Sequence, residues 1–531
     1  MNITMDLPLA IYRFVAAGIA GLLLLRRFWA PLVKYVFNPR LGHIFFKHVA
    51  LPYVFRRRRL WGPFTRLDGV LYIVYLGGTF TCNILGVSNF AEASFRAGSL
   101  AVLHLLPVVF VPQLSIGAEM FGLSLSTYRR LHRVLGLMTI VQSILHVIFA
   151  LQNWAFDLAN KFHRYGLMSA AALSALLVLA LPWIRRLSYE IFLKGHAALS
   201  ILVIVGAWLH LRRRRGFEAF SLVGGLAAFL LNTVIHTVYQ LFRNSAAGQS
   251  LALADVVKHQ DAVELTFRPP RPWKVREGQY IYVRAPGIRS LSFAESHPFH
   301  IAWWEAGPDG KAVSISLLAQ VRSGFTRALC GTPHSRVRIL VDGPYGEHFD
   351  TDGYSSIIIV ATGIGIAGQL SYVKTFVESA LQGEHKALPG RNTRRMTLIW
   401  QMEEEYHEDW ICDWMDRLLD EDKAMALRYS LYILRSEKTV SHDSEKVHVG
   451  RRGTVYYGKP DLKSIIQEER SSCTGRLLIS VSADPETRDE VRGLVLASDD
   501  DVDLKESEYQ PPHETDGFWA PRGEARRVQV T

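Results

Sequence analysis

Four cysteines in 531 residues, Cys82, Cys330, Cys412 and Cys473, are too few and too scattered to staple a scaffold, and none is spaced Cys-x-x-Cys. A disulfide framework and a zinc finger are therefore not indicated. No Asp-x-Asp-x-Asp-Gly loop, the pattern of a calcium-binding EF-hand, occurs. Basic residues outnumber acidic ones, 60 to 49, but the basic clusters do not stand alone. Arg26 with Arg27, the arginines 56 to 59, Arg129 with Arg130, Arg185 with Arg186, and Arg212, Arg213, Arg214 and Arg215 all flank apolar runs. Basic residues so placed set topology and touch lipid headgroups, and no nucleic-acid surface is indicated.

What the chain has in quantity is apolar length. Hydrophobic residues make up 49% of it, and the long runs are confined to residues 1 to 243. A chain of this length suits two to four domains. Seven spans are predicted, at about 7–25, 68–90, 98–118, 131–151, 164–183, 194–211 and 217–242, each near the length that crosses a bilayer as a helix. The first reads as a retained anchor, because its basic residues follow the apolar run and no clear small-residue cleavage site appears. With the N-terminus outside, the loops after the first, third and fifth spans lie in the cytoplasm, together with everything after Arg243. Asn2-Ile3-Thr4 is then a sequon on the outer side. Arg212 to Arg215 break the basic-residue rule by falling outside.

Two of these spans carry histidines at one repeated interval. His132 and His146 are separated by thirteen residues, and so are His196 and His210. Fourteen helical steps advance about 21 Å and leave the two side chains about 40° apart around the axis. One intervening span makes the two helices parallel, which pairs His132 with His196 near the cytoplasm and His146 with His210 near the outside. Stacked imidazole pairs of this kind can hold two haems. A satisfied core polar group is the ordinary reading of one such histidine, but four in membrane-length segments are costly and rarely idle. With both axial positions filled, electrons would leave from the haem edge, and such a wire needs a cytosolic source.

The second half supplies a source. Residues 251–349 alternate apolar and polar in short runs between Pro and Gly turns, which predicts a small antiparallel barrel. Residues 356–361 form a continuous β-branched strand, followed by Gly363, Gly365 and Gly368 and a helix to about 380. Glycines there let backbone amides approach a pyrophosphate. The fold class expected is a multidomain membrane protein: an α-helical transmembrane bundle of about seven spans, then an antiparallel β-barrel domain and a Rossmann-like α/β nucleotide domain. The boundaries are 1–60 for a first span with a basic cytosolic linker, 61–250 for the haem domain, 251–350 for the barrel and 351–531 for the nucleotide domain with its tail.

In these residues the chain resembles the ferric-chelate reductase family of fungi, whose wider superfamily includes the NADPH oxidases. Leu131-His132-Arg133 with Gly136, and Tyr189-Glu190 with Phe192 ahead of His196, resemble the haem helices. Gly278-Gln279-Tyr280, Ser296-His297-Pro298-Phe299 and Arg322-Ser323-Gly324-Phe325-Thr326 resemble the FAD motifs. Asp342-Gly343-Pro344-Tyr345-Gly346 and the glycine loop resemble the nicotinamide entrance. The resemblance implies FAD, two haem b groups held by His132, His146, His196 and His210, and NADPH as donor. It also implies ferric chelates or siderophores as acceptors, cupric ion being a further one. The plasma membrane is the expected location, with the vacuolar membrane as the alternative. Thirteen residues in both histidine intervals favour metal reduction over oxidase activity.

The same resemblance implies roles along the cleft. Phe299 packs on the flavin, His297 and Pro298 lie near its phosphates, and Arg322, Gly324 and Thr326 bind pyrophosphate. Lys459 stands where a basic residue meets the nucleotide phosphate; a surface lysine reads the same. Tyr509 is a candidate flavin cover, or part of a polar tail. Three positions depart from the pattern. His300 replaces a Ser or Thr that bonds the flavin ring. Ser482, with Ala483, Asp484 and Pro485, stands in place of a Cys-Gly-Pro near the nicotinamide. Glu403 stands where an arginine contacts the 2′-phosphate, which leaves NADH possible, with Arg435 as compensation. Arg212 to Arg215 would concentrate anionic chelates beside the outer haem. A superoxide-producing oxidase, a donor to a dedicated partner such as a ferroxidase and permease pair, and a seven-span receptor or carrier with a nucleotide-sensing domain remain alternatives.

Overall fold

A computed structural model describes residues 6–36, 42, 44–57, 63–187, 189–212, 216–245, 251–289, 292–322, 324–346, 348–349, 351, 353–381, 395–435, 447–449, 453–473, 475–498 and 501–507. The chain divides into two compact units, residues 1–37 with 70–242, and residues 38–69 with 243–531.

The first unit is helical. Its elements are α1 (Leu7–Val36), α2 (Arg66–Ile84), α3 (Phe90–Val109), α4 (Leu114–Phe121), α5 (Leu125–Leu151), α6 (Lys161–Leu179), α7 (Pro182–Leu187), α8 (Tyr189–Leu211) and α9 (Phe217–Asn244). Among the described residues six helices are long and apolar enough to cross a membrane, or seven if α3 and α4 count as one span. The protein is a multi-pass membrane protein. The third span corrects the sequence expectation of 98–118: the helix starts earlier, at Phe90, and is broken after Val109, with a 95° bend before α4. The cause is local. Asn89 caps α3 by accepting from the Glu92 N–H at 2.9 Å, and Glu92 accepts from the Ser88 N–H at 2.9 Å, a reciprocal start signal. Pro107 and the Pro112 that follows cannot carry the helix on. Gly86, at φ +72, lies just beyond the end of α2.

Ion pairs tie helices together inside this unit, as burial of their charges requires. Arg96 holds Asp6 at 3.0 Å, Arg13 pairs with Glu218, and the Ser99 hydroxyl donates to Glu218 at 2.8 Å, so α1 is tied to α3 and α9. Inside the unit Leu105, Ala172, Leu173, Val203 and Leu222 are buried together, with Ile140 packed against them.

The second unit holds the barrel and the nucleotide fold. A short π-helical turn, Phe46–Ala50, leads to β1 (Tyr53–Phe55), which pairs with β2 (Phe64–Thr65). The barrel is built from β3 (Ala252–Lys258), β4 (Ala262–Phe267), β5 (Tyr280–Arg284), β6 (His297–Ala306), β7 (Ala312–Gln320) and β8 (Arg336–Tyr345). They close in the order β3-β4-β7-β6-β5-β8, all pairs antiparallel. In β3 buried and exposed residues alternate from Ala252 to Val257, the period of a strand with one face in a core. Ile281, Ile301, Ile315 and Leu317 fill that core.

Beyond the barrel lies a seven-stranded sheet. It contains β9 (Ser356–Thr362), β10 (Arg395–Met402), β11 (Leu427–Ile433), β12 (Val447–Val449), β13 (Gly453–Tyr457), β14 (Leu477–Ser482) and β15 (Val502–Glu506), in the order β12-β13-β11-β10-β9-β14-β15. Every residue of β9 is buried, as in a central parallel strand covered on both faces. The chain leaves β9 first towards β10 and β11 and returns on its other side as β14 and β15. Ligands bind at such a switch point, beyond the carboxyl ends of the strands. The helices include α10 (Phe325–Gly331), α11 (Ile366–Leu381), α12 (Cys412–Glu421), α13 (Leu462–Ser472) and α14 (Pro485–Ala497).

The barrel and the sheet interlock through α11. The Gly278 N–H donates to Ser371 Oγ at 3.1 Å. Gly278 has φ +74, and a Cβ there would run into the Tyr372 hydroxyl. Lys374, 2% exposed, pairs with Glu378 and lies 4.5 Å from the Trp303 ring and 5.2 Å from Trp304. A buried ammonium held by one carboxylate and two ring faces keeps the flavin strand β6 against the nucleotide helix.

Candidate functional site

In the helical unit the four histidines face each other in the pairs expected. Ring centroids are 6.1 Å apart for His132 and His196, and 6.2 Å apart for His146 and His210. Two metal–imidazole bonds of about 2 Å, with half a ring beyond each, add to about 6 Å. Each pair is therefore spaced for one metal centre between its rings. Among the described residues no group of three or more His, Cys, Asp or Glu could hold a metal ion. A two-imidazole site suits a metal whose other ligands come with it, as in haem.

The surroundings fix the tautomers of His146 and His210. His146 Nδ1 lies 2.7 Å from the Ser94 carbonyl oxygen, and His210 Nδ1 lies 2.9 Å from that of Phe162. A carbonyl can only accept, so Nδ1 carries the proton and Nε2 keeps its lone pair. Close helix packing makes this possible. A Cβ on Gly98 would come 2.8 Å from His146 Nδ1, and one on Gly166 would come 3.0 Å from His210 Nδ1. The Phe162 ring stacks on His210 at 3.8 Å. At the pair of His132 and His196, Phe192 packs beside His196 at 5.5 Å. His196 Nδ1 is buried with no hydrogen-bond partner among the described residues. Sequence reasoning did not single out Ser94, Gly98, Phe162 or Gly166, since a carbonyl partner leaves no side-chain signal.

In the second unit a cleft of about 180 Å³ opens at the switch point. Its walls include His297, Pro298, Phe299 and His300 from β6, Arg322, Phe325 and Thr326 before and within α10, Gly365 and Gly368 after β9, and Ser482 at the end of β14. The sequence candidates from four separated segments thus meet in one place. His297 stacks on Phe325 at 4.3 Å, and Phe299 lies 6.2 Å from the same ring. Phe325 is a wall residue that had no role of its own in the motif reading. Gly324, at φ +84, precedes α10, and a Cβ there would stand 3.9 Å from Arg289 Nη2. Arg289 is thus a second guanidinium beside the Arg322 segment, which the sequence reading missed. It donates to Glu295, itself 4% exposed. The Arg322 N–H donates to Thr326 Oγ1 at 2.8 Å, shaping the turn.

His300 is buried, and a Cβ on Gly368 would meet its ring at 3.3 Å. A glycine at that point is what lets the imidazole and the helix approach. Gly363, at φ +47, turns the chain out of β9, and its carbonyl accepts from Trp400 Nε1 at 2.9 Å. The Thr362 hydroxyl accepts from the Asp484 N–H at 2.7 Å, tying the glycine turn to the segment after Ser482. Tyr345 donates to Asp342 at 2.7 Å at the end of β8, and burial followed by the Asp342 charge pushes its phenol well up. Lys459 is exposed, beyond the carboxyl end of β13. Glu403 and Glu404 follow β10, and Arg435 Nη1 lies 3.9 Å and 3.6 Å from their carboxylates. Arg435 therefore reaches that edge already engaged by two acids. Tyr509, Ser323 and the arginines 213–215 lie outside the described residues. Arg212 is exposed, 6.0 Å from the Tyr165 ring.

Burial lowers the His297 pKa, against the opposing pull of Glu295. Below about pH 6.5 the unfolded histidine takes up a proton that the folded one refuses. Stability then falls as pH drops through that value and levels off below the lowered one. The melting temperature of the protein should show this slope, and His297→Gln should flatten it.

Three family descriptions match the chain in succession. Ferric reductase like transmembrane component covers residues 97–207, FAD-binding domain covers 248–349, and Ferric reductase NAD binding domain covers 354–495. Ferric reductase transmembrane component 3 of Saccharomyces cerevisiae is 24% identical over 304 residues, 54% of this chain and 41% of that protein. Ferric/cupric reductase transmembrane component 1 of Candida albicans is 23% identical over 385 residues, 65% of this chain and 49% of its own. The chain thus spans about half or less of the length of these curated relatives. Among solved structures, Ferredoxin reductase in carbazole 1,9a-dioxygenase is 15% identical with a TM-score of 0.33, covering 49% of this chain and 69% of its own.

Proposed function

Since the chain belongs to the ferric reductase family, we propose that it carries electrons from a cytosolic nicotinamide nucleotide across the membrane to an extracytoplasmic ferric chelate, with cupric chelates as further acceptors. The net reaction is NAD(P)H plus two Fe(III) giving NAD(P)⁺, one proton and two Fe(II). The two imidazole pairs, each spaced for one bis-histidine haem, are the observation that carries this reading. Bound FAD would turn a hydride into single electrons, and bound haem b would pass them on.

The residues of the chain do the positioning. Phe299 and Phe325 offer ring faces to the flavin, Arg322 with Arg289 offers guanidiniums to its pyrophosphate, and His300 stands where an N–H can reach the ring. Ser482, Gly365 and Gly368 leave room for the nicotinamide. His297 stays uncharged at neutral pH because burial lowers its pKa, so the charge in the cleft walls comes from the Arg322 side. On the outer side Arg212 with its three neighbours would draw anionic chelates by charge. Inner and outer assignments follow the basic-residue topology, with the plasma membrane as the setting.

Oriented vesicles test the whole reading at once. NADPH and NADH are supplied in turn on the side of the flavin domain, and ferric citrate, cupric ion or dioxygen on the other. The expected result is ferrous iron appearing opposite the donor. NADPH is the favoured donor by family resemblance, with NADH more competitive than usual because Glu403 and Glu404 hold Arg435. Superoxide release without ferrous iron would replace the proposal with an oxidase. Glutamine at positions 212 to 215 should raise the KM for an anionic chelate at low salt.

A further inference from the structure

The segment between the first two membrane-spanning helices is built into the nucleotide domain. Leu51, 4% exposed, completes the core formed by Val491 and Val495 of α14 with Ile479 and Leu504, and Phe46 packs on the same cluster. Tyr53 donates from its hydroxyl to Asp489 at 2.8 Å, and Arg57 Nε reaches the other oxygen of the same carboxylate at 3.2 Å. Arg492 lies over the Tyr53 ring at 4.7 Å and donates to the Leu51 carbonyl at 3.3 Å. Lys47 Nζ donates to the Ser498 carbonyl at 2.6 Å, placing a cation at the carboxyl end of α14. One face of α14 is thus occupied along its length by residues 46–57.

The same helix leads to the cleft. Asp484 caps it, accepting from the Glu486 and Thr487 N–H groups at 2.9 and 3.0 Å, and its own N–H is held by Thr362 beside the glycine turn. Ser482, two residues earlier, lines the cleft. Arg492 also grips Glu506 at 2.7 Å, at the end of β15. Both ends of the 46–57 segment run on in sequence towards membrane helices, through α1 on one side and α2 on the other.

We propose that residues 46–57 are a docking strap, with Asp489 and Arg492 as positioning residues, and that its seat on α14 holds the nucleotide and flavin domain in the register needed for electrons to reach the inner haem. The strap governs the step from flavin to haem and leaves hydride transfer alone. This rests on the electron path proposed above. The strap carries no electrons itself, so the overall balance is unchanged.

The test uses the full-length protein in nanodiscs. Asp489→Arg removes the Tyr53 bond and repels Arg57. Amide exchange across 46–57 should then speed up about tenfold or more. In rapid mixing with NADPH, haem reduction should slow about 10-fold, the scale of a lost position, with flavin bleaching within about twofold of the parent. Arg57→Asp placed in the Asp489→Arg background should recover part of both. Should Asp489→Arg not fold, the exposed Arg57→Glu supplies the same comparison with no buried residue altered. Three results overturn the proposal: rapid exchange across 46–57 in the unaltered protein, a released strap with unchanged haem reduction, or flavin and haem reduction slowing together. Absence of haem absorption in the unaltered protein would instead sink the electron path, and with it the coupling, while exchange would still judge the docking.

Discussion

Alanine in place of His146 is expected to drop the haem content from two per chain to about one and to cut reduction of an outer acceptor by about 100-fold or more. Each metal centre needs both imidazoles of its pair, whose ring centroids lie 6.2 Å apart. His210→Ala should behave the same way, since the two rings share one centre. Flavin reduction by NADPH should be untouched in both, because the histidines lie in the other unit of the chain. The check is a pyridine haemochrome assay with a visible spectrum, run beside flavin bleaching. Two haems retained in His146→Ala would end the assignment of His146 as a ligand. Gly98→Leu is a subtler form of the same experiment. Its branches would enter the space 2.8 Å from His146 Nδ1 and displace the ring from the Ser94 carbonyl.

Arg322→Ala is expected to weaken FAD by about 30–100-fold, the loss that follows removal of a charge-assisted contact worth about 2–3 kcal/mol. Arg322 and Thr326 share one turn through the 2.8 Å bond from the Arg322 N–H. That bond is made by the backbone and survives the substitution, so the effect reports the guanidinium alone. Flavin content after dilution, read by fluorescence, measures it. Retention of FAD at nanomolar protein would shift the phosphate role to Arg289, the other guanidinium beside Gly324. Haem content should not change, which separates this variant from the histidine ones.

Much of the plan could be read before any coordinates. The histidine interval carried over because a helix turns residue spacing into angle without reference to anything else. The barrel and the strand-turn-helix of 356–381 carried over for a similar reason, since alternation and glycine act locally. The third span did not. Its apolar content suggested 98–118, whereas Asn89 and Glu92 had already marked the true start with a reciprocal cap. Composition was weighed there and capping was not.

Other features had no local signal at all. Ser94 and Phe162 act through their carbonyls, which every residue possesses. Arg289 lies in a loop without a motif and meets Glu295 only because the chain folds back. Residues 46–57 looked like a basic linker in sequence. Their partners Asp489 and Arg492 are 436 and 441 positions away along the chain, as in the Tyr53 and Leu51 contacts. Long-range pairing of that kind follows from the finished core around Leu51, and no short window contains it.

The apolar cluster of Leu105, Ile140, Ala172, Leu173, Val203 and Leu222 in the helical unit has an electrical consequence under the proposed path. None of its side chains can bind or relay a proton, so an electron crossing it would move unaccompanied. Each turnover would then carry net negative charge outward and leave a proton behind. An inside-negative membrane of 100 mV would favour that movement by about 2.3 kcal/mol per electron. The rate should therefore fall as the membrane is depolarised, and sustained export would call for a compensating outward flow of cations.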